Sequence, residues 1–295
     1  MIHLRLYCFL FIFGIISLQA QELPLINHFL PEDYNAESQN WSISQAENGF
    51  IYVANNKGLL EFNGAKWNLY PTPNQTIMRS VKAEGDKVFT GFYMDFGYWQ
   101  KDEFGILHYK SLVKDNNIQL LPDEQFWNIF ELDGWMIFQS LQRIYIHNLE
   151  TKITKTINSE SSITKMFKVD DTIYFQEFGK GVFKIEKGIA KLVSADEEVK
   201  NNVVVFLLKL NQELVYLTQN NGFYTKNGSF TLNKNLSEYL KGKSVYSAHQ
   251  FNNGDFIVGT ISNGIAYCDA SGNLIYTLNQ NKGLSNNTVL STFED

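Results

Sequence analysis

Residues 253–267 read NGDFIVGTISNGIAY. The stretch opens with a turn-forming Asn-Gly pair, continues as the apolar run 256–259, and reaches a second apolar run, 265–267, after a short polar connection. Two such runs joined in this way are typical of neighbouring antiparallel β-strands. The same pattern occurs six times along the chain, with first runs that start at residues 51, 88, 136, 173, 214 and 256.

The spacing of these repeats decides the fold class. The six starts are separated by 37, 48, 37, 41 and 42 residues, and a period near 40 without helical periodicity is typical of four-stranded propeller blades. In the first repeat the four predicted strands are residues 41–46, 50–54, 59–62 and a strand that begins at Trp67. We therefore predict an all-β propeller of six antiparallel blades. A β-sandwich is the structural alternative, but it does not explain the period.

Helices contribute little to this prediction. Residues 196–201 and 236–240 are the stretches with weak helical character, and neither is long enough to support an α/β or barrel fold of the TIM type. The aromatic content of 15%, with 23 Phe and 15 Tyr, likewise favours strands.

The last residues, GLSNNTVLSTFED at 283–295, match the start of the preceding repeat, SVYSAHQF at 244–251. We expect residues 288–295 to form the first strand of an incomplete seventh blade, as in a chain cut from a longer protein. The predicted division is a signal peptide at 1–20, a leader at 21–40, six blades at 41–287 and this extra strand.

The first 20 residues resemble a secretory signal. Arg5 precedes an apolar run of 11 residues, and Ala20 provides a small residue at the expected cleavage position. The run is too short to cross a bilayer, which takes about 20 residues, although an N-terminal membrane anchor is the alternative. Removal of this segment leaves Cys268 as the one cysteine, and its apolar strand predicts a buried, unreactive thiol.

Charge and motifs exclude several function classes. The net charge of −6 gives no basic surface for nucleic acid. The five histidines show no metal-binding spacing, and no nucleophile-elbow or phosphate-loop motif is present, so we predict no cofactor, no metal and no catalytic residue. Propeller glycosidases and lyases place acids across a channel, and Asp95 with Glu177 is the available pair.

Several segments resemble the bacterial two-component regulator propeller family. They are residues 253–265 and 283–295, together with FNGAKW at 62–67 and GFYMDFGYW at 91–99, which are similar to the first two blades of that family. The resemblance implies the periplasmic sensor part of a hybrid two-component or LuxR-type regulator. It also implies further blades, a triple-tyrosine domain, a membrane helix, a kinase or helix-turn-helix output domain, and a homodimer formed through the full ectodomain.

Propeller topology indicates where a ligand would bind. The loops between the second and third strands of each blade share one face with the loops between blades, and these are the longer and more variable connections. Residues 92–96 are predicted to be the longest loop of the first kind, although Phe92 and Phe96 could instead pack between blades. Aromatic rings with a few polar groups suit sugar rings. The candidate ligand-binding residues are Tyr93, Asp95, Trp127, Arg143 and Glu177.

Three hypotheses follow for the function. The first is a non-catalytic periplasmic segment that senses a glycan or another extracellular ligand for a transmembrane signalling protein. The second is a secreted propeller glycoside hydrolase or lyase that uses Asp95 and Glu177. The third is an envelope scaffold for protein partners.

Overall fold

Six four-stranded antiparallel sheets make up the computed structural model, which describes residues 26–210 and 213–294. Each sheet contains four strands that are consecutive in the chain, so each is one propeller blade. The predicted all-β propeller of six blades is therefore confirmed. The predicted signal peptide, residues 1–20, lies outside the described residues.

The first three blades span the first half of the chain. Their strands are β1 (Asn40–Gln45), β2 (Ile51–Asn55), β3 (Gly58–Phe62), β4 (Trp67–Tyr70), β5 (Met78–Glu84), β6 (Lys87–Phe92), β7 (Asp95–Lys101), β8 (Leu107–Ser111), β9 (Asn128–Leu132), β10 (Trp135–Gln139), β11 (Arg143–Asn148) and β12 (Thr154–Asn158).

The other three blades follow with the same order. Their strands are β13 (Ile163–Val169), β14 (Thr172–Glu177), β15 (Gly181–Glu186), β16 (Ile189–Ser194), β17 (Val204–Leu210), β18 (Glu213–Thr218), β19 (Gly222–Thr225), β20 (Gly228–Phe230), β21 (Val245–Gln250), β22 (Phe256–Thr260), β23 (Ile265–Cys268) and β24 (Leu274–Leu278).

The helices are short and lie before, between or after the blades. Those in the described residues are α1 (Pro31–Tyr34), α2 (Leu112–Asp115), α3 (Glu197–Asn201), α4 (Lys234–Leu240) and a 3₁₀ turn at Gln280–Lys282. Helices α3 and α4 overlap the two stretches with predicted helical character. Asn233 caps α4, since its side-chain oxygen accepts hydrogen bonds from the N–H groups of Asn235 and Leu236.

The prediction of a long loop at residues 92–96 is wrong. Strand β6 runs to Phe92 and β7 begins at Asp95, so the connection is Tyr93 and Met94 alone. Both Phe92 and Phe96 are fully buried, and Phe96 stacks on Phe138 of the next blade with ring centroids 4.3 Å apart. Burial of these rings between blades favours longer β6 and β7 strands joined by a short turn.

Five apolar cores lie between neighbouring blades, and a further one packs Tyr34 of α1 against the first blade. The cluster between the second and third blades contains Phe89, Phe126 and Met136, all almost fully buried. Cys268 belongs to the cluster between the fifth and sixth blades, where burial raises the pKa of its thiol to about 12. This agrees with its predicted role as a small buried apolar residue.

The first strand of every blade lines a central channel. Residues from β1, β5, β9, β13, β17 and β21 enclose a cavity of about 790 Å³. Leu290, Ser291, Thr292 and Phe293 line the same cavity, although no strand is formed within the described residues 288–294.

Candidate functional site

The five predicted ligand-binding residues all lie at the expected face of the propeller, but in separate environments. Trp127 ends the loop at residues 121–127, Tyr93 contacts that loop, and Arg143 is connected to it through the Tyr145 hydroxyl. Asp95 and Glu177 are held by partners of their own. The structure therefore does not gather all five into a single pocket.

Glu124 organises that loop from its centre. It is 6% exposed, and its carboxylate accepts hydrogen bonds from the Ser140 hydroxyl at 2.5 Å and the Tyr145 hydroxyl at 2.9 Å. The Arg143 guanidinium in turn donates to the Tyr145 oxygen at 3.2 Å and to a backbone carbonyl. A buried carboxylate with several donors is rigidly held, so Glu124 fixes this loop against the third blade.

Two predicted residues flank the same loop. Tyr93 forms a β-bridge with Gln125, and its hydroxyl donates to the Asp123 carboxylate at 2.5 Å. Trp127 lies at the other end of the loop and lines the channel. Within the part of the chain that the structure describes, its buried indole nitrogen has no hydrogen-bond partner.

Asp95 is a buried group of the second blade. It is 7% exposed and accepts a hydrogen bond of 2.6 Å from the Ser111 hydroxyl. Burial raises the pKa of Asp95 above its ordinary value, and the Ser111 hydrogen bond opposes that effect. This hydrogen bond ties the third strand of the blade to the fourth.

Glu177 is the last residue of β14 in the fourth blade. Its carboxylate is 3.1 Å from the Lys180 ammonium and receives a weak hydrogen bond, 3.4 Å long, from the Ser161 hydroxyl. Lys180 also pairs with Glu160 at 2.6 Å. Glu177 therefore shares one lysine partner with Glu160.

A repeated backbone feature defines a different group of residues, at the start of the inner strands. In five of the six inner strands the register shifts by one residue near the first pair, which marks a β-bulge. A bulge redirects the extra side chain, and bulges are common beside functional sites. The bulged residues are Trp41, Arg79, Thr164, Val205 and Tyr246.

Arg79 is the central cation of this group. Its guanidinium carbon lies 4.3 Å from the ring centroid of Trp41 and 4.5 Å from that of Trp127. Its Nε atom donates to the Gln125 side-chain oxygen at 3.1 Å, which connects it to the loop that Glu124 holds. Two cation–π contacts and one hydrogen bond therefore fix the guanidinium in place.

A second cation lies beside Tyr246. The Lys165 ammonium donates to the Tyr246 carbonyl oxygen at 3.2 Å and lies 5.9 Å from the Tyr246 ring. Burial lowers the pKa of Lys165 to about 8, and it also lowers the pKa of Arg79. The Tyr246 hydroxyl interacts electrostatically with Arg79, so this tyrosine connects the two cations. We call Trp41, Arg79, Trp127, Lys165 and Tyr246 the channel mouth.

Sequence reasoning found only Trp127 of the channel mouth. The available signal was a serine directly after the bulged residue, as in Trp41-Ser42, Arg79-Ser80 and Tyr246-Ser247. The Ser80 and Ser247 hydroxyls each donate at 2.8 Å to a backbone carbonyl of the segment that follows the blade. This repeated serine marks the bulge. A single serine after a variable residue is too common in sequences to identify the bulge by itself.

Two further observations concern the described residues only. In residues 26–210 and 213–294, His, Cys, Asp and Glu side chains form no group of three or more that could hold a metal ion. Nor does that part of the chain contain a helix with the length and apolar character needed to span a membrane.

Comparison with known proteins places the fold. No protein-family model matches the sequence. A search of the curated proteins also found no match. Among solved structures, the extracellular domain of the hybrid two-component system BT3049 from B. thetaiotaomicron matches with a TM-score of 0.69 and 17% identity, over 92% of this chain and 39% of that one. The chain shares the propeller fold of hybrid two-component ectodomains.

Other solved structures support the same statement. Two structures of the extracellular domain of BT4673, from the same bacterium, match with TM-scores of 0.65 and 0.61 at 16% identity, over 88% of this chain and 36% of that one. Virginiamycin B lyase from Staphylococcus aureus matches with a TM-score of 0.60 and 14% identity, over 81% of this chain and 84% of that one. The fold implied by the resemblance in the repeats is thus confirmed, and this chain spans less than two fifths of either B. thetaiotaomicron ectodomain.

Proposed function

We propose that this chain is the ligand-sensing propeller segment of a transmembrane signalling protein and is not itself catalytic. The observation that carries the proposal is the shared fold, which extends over 92% of this chain when it is compared with the extracellular domain of a hybrid two-component system. Export to the periplasm, attachment to the membrane through another part of the protein, and a homodimer formed by the full ectodomain are parts of the same proposal.

The channel mouth is the ligand site in this proposal. Its residues come from the inner strands of four blades and from the loop before β9, so a molecule bound there contacts five of the six blades. Binding that differs in strength between two arrangements of the blades changes their populations, and such rigid-body changes transmit signals. The cavity beneath, at about 790 Å³, has the size of a small-molecule site.

The catalytic alternative depends on Asp95 and Glu177. Each carboxylate is engaged by local partners, Ser111 for one and Lys180 for the other, in blades two positions apart. Neither residue belongs to the channel mouth. The contacts of both carboxylates therefore favour a structural role.

The proposal is tested by calorimetry on the full chain with panels of oligosaccharides and small metabolites, followed by product analysis of each mixture. We expect saturable binding without turnover, and loss of binding in Trp41→Ala and Trp127→Ala. Turnover that disappears in Asp95→Ala or Glu177→Ala would establish an enzyme instead. Capture of a defined envelope protein, with no small-molecule binding, would establish the scaffold hypothesis.

A further inference from the structure

The channel mouth contains two cations without counter-charges. Within residues 26–210 and 213–294, neither Arg79 nor Lys165 lies within ion-pair distance of a carboxylate. Elsewhere along the channel, Lys209 pairs with Asp170 at 2.9 Å and Lys82 lies 3.8 Å from Glu84. The two cations of the channel mouth therefore differ from Lys209 and Lys82 in having no carboxylate partner among the described residues.

Burying two cations in this part of the structure is costly for the free protein. Desolvation lowers the pKa of both groups, which means that each charged form is less stable here than in water. The protein as a whole has a net charge of −6, so acidic residues are available in the sequence but none is placed here. Buried cations without a counter-charge are typical of a functional site.

The free donors at this site match one kind of ligand group. Only the Nε atom of Arg79 has a hydrogen-bond acceptor among the described residues, which leaves its terminal nitrogens available. Two parallel N–H groups of a guanidinium bind a carboxylate in bidentate geometry, and an ammonium adds a second charged donor. The Arg79 guanidinium covers one face of Trp41 and one face of Trp127. Both rings also line the cavity, where they provide apolar contact area for the rest of a small molecule.

We propose that the channel mouth binds a small carboxylate-bearing ligand, with the carboxylate held by Arg79 and Lys165 and its carbon skeleton against the tryptophan rings. The proposal rests on the proposed function for its biological role, whereas binding itself is measured independently. A sugar acid and an aliphatic dicarboxylic acid share this chemistry, and the experiment separates them.

The test is calorimetry on the full chain with four probes: glucuronate, galacturonate, glutarate and neutral glucose. We expect at least one of the three acids to bind more than tenfold more tightly than glucose, with affinity that falls as salt concentration rises. Uronate binding without glutarate binding identifies a sugar acid, and the reverse identifies an aliphatic acid.

Variants assign the binding to the two cations. We expect Arg79→Gln and Lys165→Gln each to weaken binding of the acid by tenfold or more, and Arg79→Lys to weaken it less because it keeps the charge but loses the bidentate geometry. Lys226→Gln is the control, since Lys226 is exposed outside the channel mouth, also has no carboxylate partner in the described residues, and should leave the affinity unchanged. Circular dichroism verifies that each variant is folded.

Two results would overturn the inference. The first is equal affinity for glucose and the acids that does not change in a folded Arg79→Lys variant. The protein would then still be a sensing propeller, but charge would not recognise its ligand. Failure of all three acids to bind would remove the carboxylate site, whereas the sensing role would fall only if the wider ligand panel also gave no binding.

Discussion

At the scale of single residues, buried polar groups differ in how well they are satisfied. Glu61 is 3% exposed but has the Lys101 ammonium at 2.8 Å and the Tyr52 hydroxyl at 3.0 Å. His147 is fully buried, and its Nδ1 atom lies 2.9 Å from the Thr154 hydroxyl oxygen. Its Nε2 atom has no partner among the described residues. Its protonation is therefore opposed in the folded state.

His147 gives the first prediction, which concerns pH. Burial lowers the pKa of His147 from 6.5 to about 4, so the unfolded chain binds more protons between these values and stability falls as the pH drops through this range. For this residue alone we expect a loss of about 1–2 kcal/mol between pH 7 and pH 5. Urea unfolding at both pH values measures it.

The control for that experiment is His147→Leu, which cannot be protonated. Between pH 7 and pH 5 this variant should lose about 1–2 kcal/mol less stability than the wild type. Burial of His249 still makes both proteins less stable at the lower pH. Equal pH dependence in the two proteins would contradict the prediction.

At the scale of elements, short helices and inner strands depend on single side chains at their ends. Asn233 supplies the N-cap of α4, and its side-chain nitrogen donates to Asn273 of the following blade at 2.8 Å. Gln176, at the end of β14, connects its blade to the next one. Local sequence signals predict the first kind of contact better than the second, because a cap acts within three residues.

The second prediction is that Asn233→Ala destabilises the protein by about 1 kcal/mol, the usual cost of losing an N-cap. Asn233→Asp should retain most of the stability, since its carboxylate can accept the same hydrogen bonds at a helix N-terminus. Asn235→Ala is the control. Residue 235 is exposed, and the variant keeps the backbone N–H that donates to the Asn233 side chain. Equal urea midpoints for Asn233→Ala and the wild type would contradict the role of the cap.

The third prediction concerns the contact between the fourth and fifth blades. The fully buried Gln176 amide donates to the Val199 and Asn202 carbonyl oxygens at 2.6 and 2.7 Å and accepts from the Val204 N–H at 2.8 Å. Gln176→Leu leaves these backbone groups unpaired, and we expect a loss of about 2–4 kcal/mol.

Gln219→Leu provides the comparison for Gln176→Leu in urea unfolding. Gln219 lies just beyond the same strand position in the next blade, but its side chain makes one hydrogen bond of 3.2 Å to Ser244 and is only partly buried. Its replacement should cost less than about 1 kcal/mol. A similar cost for both variants would show that the blade contact does not depend on Gln176.

At the scale of the whole molecule, the segment after the sixth blade repeats a contact seen earlier in the ring. The Ser247 hydroxyl donates to the Val289 carbonyl oxygen at 2.8 Å, just as the Ser80 hydroxyl donates to that of Phe126. Phe126 leads into the inner strand of the third blade. We therefore propose that residues 288–294 take the place of the inner strand of a further blade, although they form no strand hydrogen-bonding pattern within the described residues.

The fourth prediction tests this contact. Gly259 has no room for a side chain, because an added Cβ would lie 2.4 Å from the Ser247 hydroxyl oxygen and 2.7 Å from a Val289 methyl carbon. We expect Gly259→Ala to cost about 1–3 kcal/mol and to displace residues 288–294. Hydrogen exchange should show reduced protection of the Val289 amide, which donates to the Thr260 carbonyl oxygen at 3.0 Å.

Gly91→Ala is the matched control for that displacement. An added Cβ there would lie 2.5 Å from the Phe126 Cβ atom, so the same clash occurs at the second blade. It should destabilise the protein to a similar extent but leave the protection of the Val289 amide unchanged. Unaltered Val289 protection in Gly259→Ala would contradict the proposed packing of this segment.

Much of the fold was predictable because its signals are local and repeated. The apolar runs and the turns between them recur in every blade. A strand that is hard to recognise in one repeat can therefore be placed from its position in the other repeats. The prediction of a loop at residues 92–96 is wrong because Phe92 and Phe96 are buried between blades. Their burial lengthens strands β6 and β7 at the expense of the loop. Contacts of this kind join residues about 40 positions apart, and no local pattern reveals them.

The sequence by itself determined the number of blades, their four-strand composition and the burial of Cys268, since strand alternation and turn chemistry act within a few residues. Only the tertiary structure decided which side chains meet at the channel. Trp41, Arg79 and Trp127 come from three blades, and the bulges that redirect two of them arise from pairing between strands. Arg79 therefore reads in the sequence as an ordinary strand residue, because its neighbours are brought to it only when the ring of blades forms.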